Sequence, residues 1–257
     1  MFGFLIKKAF FDLWDNFLPV MLLNLGFIAV IALPILLPAA VAPFGPVAGI
    51  TALIIGVLVV FCYIGGLAGV ARTIVDYESL EWNSFFSPLR QFLPVTLSLG
   101  AAVLLHCALL LVAIPVYTAL GNLFSIFALA ILFWMSLIWW LAIQYVLPVR
   151  ARLSRQPLAV LKKSFILTLD NTFFTIAIAL GAVVIAVLST FTAFLLPGAA
   201  GIAIWYQAAL KLRLYKYDHL EETVDKKASI PWDALLYKDR ERVGKRTLRG
   251  MIFPWKE

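Results

Sequence analysis

The sequence predicts an all-α membrane protein: a polytopic helical bundle of six transmembrane helices arranged as three hairpins, with amphipathic helices at the interface. Three observations predict it. Of 257 residues, 63% are hydrophobic and 14% charged, whereas a soluble domain carries about 25% charged residues and under half apolar ones. Asp, Glu, Lys and Arg are absent from three tracts, residues 16–71, 91–149 and 171–210, each at least twice the roughly 20 residues that one crossing needs. Pro and Gly break each tract near its middle, at Pro43-Phe44-Gly45-Pro46, Leu120-Gly121-Asn122 and Pro197-Gly198. Each tract therefore reads as two crossings joined by a tight turn.

The expected spans are residues 17–41, 47–71, 93–117, 122–146, 172–196 and 198–212. The last is short and is completed by snorkelling of Lys211 and Arg213. This divides the chain into a transmembrane domain, 1–212, and a basic tail, 213–257. Three hairpins place the charged segments 1–15, 72–90, 150–170 and 211–257 on one side, with all 21 Lys and Arg. The opposite turns carry none. By the positive-inside rule the protein is expected in the cell (inner) membrane, multi-pass, with both termini cytoplasmic. The basic surplus falls on the third segment and the tail, where each Lys or Arg gains up to about 1 kcal/mol from anionic headgroups. The apolar run after Lys7-Lys8 exceeds the roughly 7–15 residues of a signal-peptide core, so cleavage is not expected. Cys62 and Cys107 fall mid-span and read as packing residues rather than a disulfide.

Two charged segments repeat. Lys7-Lys8-Ala9-Phe10 with Asp15-Asn16 matches Lys162-Lys163-Ser164-Phe165 with Asp170-Asn171, and the same offset maps Gly26 onto Gly181. Each copy precedes a hairpin. Phe2, Leu5, Ile6, Phe10, Leu13, Trp14 and Phe17 recur at helical spacing opposite Lys8, Asp12 and Asp15, which predicts an amphipathic helix lying at the inner interface. Asp15, Asn16, Asp170 and Asn171 are then placed to cap the spans that follow, and Pro157 suits the first turn of the second interfacial helix. A fainter third copy runs through Trp82, Phe85, Phe86, Leu89 and Phe92, and Phe92-Leu93-Pro94-Val95 repeats Phe17-Leu18-Pro19-Val20. Convergence of any interfacial helix on Lys, Phe and a cap is the plainer alternative.

Signatures of chemistry are missing: no phosphate loop, no metal-spaced Cys or His cluster and no nucleophile elbow. No catalytic residue, metal or cofactor is assigned, and the chain is not expected to be an enzyme. The candidate intramembrane polar positions are Asn24, His106, Gln144 and Gln207. An ionisable group within a span is a functional candidate by default, yet His106 can equally bridge two helices. Asn24, Gln144 and Gln207 either line a cavity or join helices by hydrogen bonds of about 0.6 kcal/mol each. Gly65, Gly66 and Gly69 allow close helix approach, as do Ala199 and Ala203; Pro34 and Pro38 mark the exit of the first span. The aromatics of the fourth span, Trp134 and Trp139 among them, face lipid or core, or form a stacking surface. In the tail, Lys238-Asp239-Arg240-Glu241-Arg242 predicts a mixed-charge helix, followed by an apolar end at Met251-Ile252-Phe253-Pro254-Trp255. The acids accompanying the tail's bases argue against nucleic acid as a partner.

Asn24-Leu25 with Leu33-Pro34, then Ser84-Phe85-Phe86 through Arg90-Gln91-Phe92 before a second hairpin, resembles the YesL-like family of bacterial membrane proteins, over about residues 5–212. The resemblance implies a membrane protein linked to carbohydrate uptake, with no catalytic residues to carry over; the basic tail is not part of it. The functional expectation is an accessory or scaffold component tied to solute or carbohydrate transport, with transporter subunits or a second copy of itself as partner. A small-solute permease is the alternative, and a membrane-embedded lipid enzyme using Asp15 and Asp170 is third.

Overall fold

The computed structural model describes residues 1–222, 230–244 and 246, and among these every regular element is a helix. Five stretches are long and apolar enough to cross a membrane: Phe17–Phe44, Pro46–Val75, Leu93–Leu120, Leu123–Arg152 and Thr172–Thr190. The first is divided into α2 (Phe17–Ile31), α3 (Leu33–Val41) and a 3-10 turn at Ala42–Phe44. The break at Ala32 precedes Pro34, whose ring cannot continue the helical bonding of the previous turn. The others are α4 (Pro46–Val75), α6 (Leu93–Leu120), α7 (Leu123–Arg152) and α9 (Thr172–Thr190). Asn122 opens α7 with a capping box, its Oδ1 accepting from the Ser125 N–H at 2.8 Å.

Short helices precede three of the spans: α1 (Phe2–Asp15), α5 (Asn83–Gln91) and α8 (Pro157–Asp170). The sixth expected span is α10 (Gly198–Glu222). Two end helices follow, α11 (Trp232–Leu235) and α12 (Tyr237–Val243). The mixed-charge tail helix is thus present as α12, while Met251–Trp255 lies outside the described residues.

In chain order the helices form three units, each a short helix, an outer span and an inner span: α1–α2/α3–α4, α5–α6–α7 and α8–α9–α10. The inner spans α4, α7 and α10 pack against one another. Each outer span lies against its own inner span and that of the preceding unit: α6 on α7 and α4, α9 on α10 and α7, α2 on α4 and α10. The short helices follow the same rotation, α5 on α4, α8 on α7, α1 on α10. The order is cyclic, so the first unit closes on the last.

A shared packing device ties the first unit to the third. Tyr63 Oη of α4 donates to the Leu23 carbonyl of α2 at 2.8 Å, and Trp205 Nε1 of α10 donates to the Ile178 carbonyl of α9 at 2.8 Å. A Cβ added to Gly26 or Gly181, three residues along in each case, would collide with those same rings. Both the carbonyls and the glycines are equivalent under the offset of the sequence repeat. Gly65, Gly66 and Gly69 likewise make room for Thr96, Phe85 and Pro88, each of which lies too close to admit a Cβ, and this seats α5 and α6 on α4.

Three expectations are corrected. The span from Thr172 ends at Thr190 rather than near residue 196, because Ser189, Thr190 and Thr192 offer hydroxyls that compete for backbone carbonyls. The helix from Gly198 does not end at residue 212 but continues to Glu222. And α1 turns only Asp15 of its predicted polar face outward. Lys8 and Asp12 are buried, whereas Phe2, Ile6 and Trp14 are exposed. The helix packs its polar stripe against the bundle because the groups that match Lys8 and Asp12 lie there.

Candidate functional site

Those groups gather where the C-terminal ends of α4 and α7 meet the middle of α10. α4 ends at Val75, and Asp76 follows it. Asp76 receives one cation from each inner span. Arg152 of α7 grips it with both Nη atoms, at 2.9 and 3.1 Å; Lys211 Nζ of α10 lies at 3.3 Å; Arg72 Nε of α4 lies at 3.6 Å. Arg152 Nε also donates to Gln207 Oε1 at 3.2 Å, and Gln207 Nε2 donates to the Ala68 carbonyl at 3.1 Å. The planar guanidinium thus ties all three inner spans together. Arg72 is half exposed, so its pair adds little.

Tyr77 follows with φ of +59°, a strained value for a residue with a side chain. The turn sets its ring beneath Lys8, whose Nζ sits 3.9 Å from the ring centroid. Lys8 Nζ donates to Tyr77 Oη at 2.8 Å and to the Val75 carbonyl at 3.0 Å, and pairs with Asp12 at 2.9 Å. Lys211 Nζ donates to the same Val75 carbonyl at 3.0 Å. Between the two ammonium groups stands Asp239 of α12, with Oδ1 at 3.1 Å from Lys211 and 3.5 Å from Lys8, and Oδ2 accepting from Tyr215 Oη at 2.8 Å.

Burial governs the protonation of this cluster. It lowers the pKa of the Lys8 ammonium below its ordinary value, against the opposing pull of Asp12 and Asp239. Burial pushes the Asp12 carboxyl up to about 6, although Lys8 acts the other way. For Asp76, burial also pushes upward, but Arg152 and Lys211 outweigh it and hold the carboxyl below its usual range. Tyr215 is raised by burial and by its bond to Asp239. Every ion here is thus partnered, the condition under which charge survives in a poorly hydrated place.

No family model, no curated protein and no solved structure matches the chain. The reading of the site therefore rests on its own geometry. Among the described residues, no group of three His, Cys, Asp or Glu side chains is placed to hold a metal ion.

The polar positions predicted within the spans fall in separate places. Asn24 is buried and fully bonded: its Nδ2 donates to the Leu195 and Pro197 carbonyls at 2.9 and 2.8 Å, and its Oδ1 accepts from the Ala200 N–H at 2.8 Å. It caps α10 from a different helix and satisfies the irregular backbone between α9 and α10. Gln144 Nε2 donates to the Leu141 and Thr175 carbonyls at 2.8 and 3.2 Å. Gln207 belongs to the ion cluster. His106 stands apart beside Trp139 and Trp140, ring centroids 6.0 and 5.9 Å away. Cys62 and Cys107 are free thiols.

The four expected caps do something else. Neither Asn16 nor Asn171 caps the following span with its side chain. Each turns back, donating from Nδ2 to the carbonyl four residues earlier, Asp12 at 2.9 Å and Leu167 at 3.2 Å. The preceding helix ends with unmet carbonyls beside an amide donor, and that claim prevails. Asp15 instead grips Arg246 at 2.8 and 2.9 Å, and Asp170 accepts from Tyr217 Oη. Arg213 donates to Asn171 Oδ1. Sequence reasoning missed Asp76, Arg152, Lys211 and Asp239, which looked like an ordinary solvated border. The available signal was a basic residue near the end of each inner span: Arg72, Arg152 and Lys211.

Proposed function

We propose that the protein is an accessory or scaffold component of the cell membrane, linked to solute or carbohydrate transport, with both termini and the ion cluster on the cytoplasmic side. The observation that carries this reading is where the polar side chains go. Asn24 and Gln207 use their hydrogen-bonding groups to join helices, and the charges at the end of the bundle are cross-tied. A permease needs polar groups that a solute can borrow; those left unbonded within the spans, Gln144 Oε1, His106 Nε2, Ser136 Oγ and Trp139 Nε1, are buried, and ion coupling usually employs a carboxylate within the membrane. The resemblance to the YesL-like family supports the transport link. Exposed Arg155, Lys162 and Lys163 supply a surface for anionic headgroups.

Affinity purification of the full chain from mild detergent is expected to recover a stoichiometric transporter subunit or a second copy of the chain. Recovery of the lone monomer in several detergents, together with sugar uptake by liposomes containing only this protein, would overturn the reading in favour of the permease. Single cysteines at Gly45 and Gly121 in a Cys-free background are expected to react with an impermeant maleimide added outside the cell. Reaction only after the cells are opened would reverse the orientation.

A further inference from the structure

Asp239 belongs to the ion cluster in a different way from its neighbours. Lys8, Asp12, Arg152, Lys211 and Tyr215 come from helices packed into the bundle, and Asp76 follows directly on one. Asp239 is delivered by a seven-residue helix, α12. Other attachments of α11 and α12 include apolar seats for Leu236 and Val243, a bond from Lys7 Nζ to the Gly244 carbonyl at 3.0 Å, and the Arg246–Asp15 pair.

Without Asp239, the carboxylates of Asp12 and Asp76 would face Lys8, Lys211 and Arg152, one negative charge short. The seat that Asp239 fills presents two ammonium groups and a phenol hydroxyl, from α1 and α10, and Lys8 is fully buried. Convergent ammonium and hydroxyl donors around an anion with several oxygens match a phosphate group at least as well as a carboxylate. Tyr77, under Lys8, supplies an aromatic floor.

We propose that Lys8, Lys211 and Tyr215 form an anion seat for a phosphate group, and that Asp239 is its internal occupant, so that phosphate binding and docking of α12 exclude one another. This stands independently of the accessory reading. The phosphate can be free in solution or borne by a lipid headgroup, since the seat lies where the apolar spans end.

The test uses the full chain in nanodiscs of phosphatidylcholine, with inorganic phosphate as probe. Asp239→Ala is expected to bind phosphate about tenfold more tightly than the wild type by calorimetry, and adding Lys8→Met is expected to abolish that gain. Adding phosphatidic acid to the nanodiscs is expected to suppress the gain if the seat opens to lipid, and to leave it unchanged if it opens to solution. Unchanged phosphate affinity in a folded Asp239→Ala protein overturns the proposal. Should that variant fail to fold, amide exchange in residues 237–243 of the wild type decides. Faster exchange with phosphate than with chloride at equal ionic strength supports competition, and equal exchange overturns it.

Discussion

Asp76 shows how one side chain can organise a bundle. It is the point at which a cation from each inner span converges, and two of those cations, Arg152 and Lys211, are largely buried. Asp76→Ala leaves Arg152 without its anion and Lys211 with Asp239 alone, and is expected to cost about 3 kcal/mol, read as a lowered unfolding midpoint in detergent. Asp12 acts in the opposite sense. Its carboxyl titrates at about 6 in the folded protein, above the value near 4 of an unfolded chain. The folded state therefore holds that proton more tightly. The contribution is complete below pH of about 4 and is lost as pH rises through about 6. Asp12→Asn is expected to flatten this decline, checked by thermal unfolding of both proteins between those limits; identical slopes would show that Asp12 does not titrate there. Neither role was legible in the sequence. A charge beside a span reads as solvated until the neighbours that bury it are known.

At the level of helices, α10 departs most from expectation. It is not among the stretches apolar enough to be recognised as spans, yet it is the most enclosed, with Ala200, Gly201, Ile204, Ala208 and Ala209 all buried. A helix surrounded by protein need not be uniformly apolar, since its partners rather than lipid receive its polar groups. Hydropathy alone therefore understates the central span, while the flanking glycine and the ion-free tract revealed it. The end of α9 was legible only in retrospect, from Ser189, Thr190 and Thr192 acting with a distant Asn24. The seating of α5 gives a direct test. A side chain at Gly69 collides with the rigid ring of Pro88, whereas one at Gly49 meets nothing within 4 Å. Gly69→Val is expected to destabilise by about 1–3 kcal/mol and Gly49→Ala to be neutral, both measured by urea unfolding in mixed micelles.

Across the molecule, the three-unit cycle makes sense of a repeat that the sequence shows in fragments. The Lys pair that advertised it is the part that diverged: Lys8 is enclosed and Lys163 is exposed, bonded to the Leu153 carbonyl at 3.1 Å. The shared geometry lies in what the repeat left quieter, namely Leu5 and Val160, both fully buried, and the glycines that admit Tyr63 and Trp205. Tyr63→Phe is expected to cost about 1 kcal/mol and Trp205→Phe more, since it also empties space the indole fills at Gly181, and their combination about the sum in thermal unfolding, because the two bonds share no partner. The cycle also has a consequence for biogenesis. α1 and α2 leave the ribosome before α10, yet they pack on it. The opening hairpin must wait in the bilayer with its seam uncovered, and Lys8 must wait for Lys211 and Asp239. A nascent chain halted before Gly198 would be an unfinished ring, with the faces of α1 and α2 that α10 covers still open.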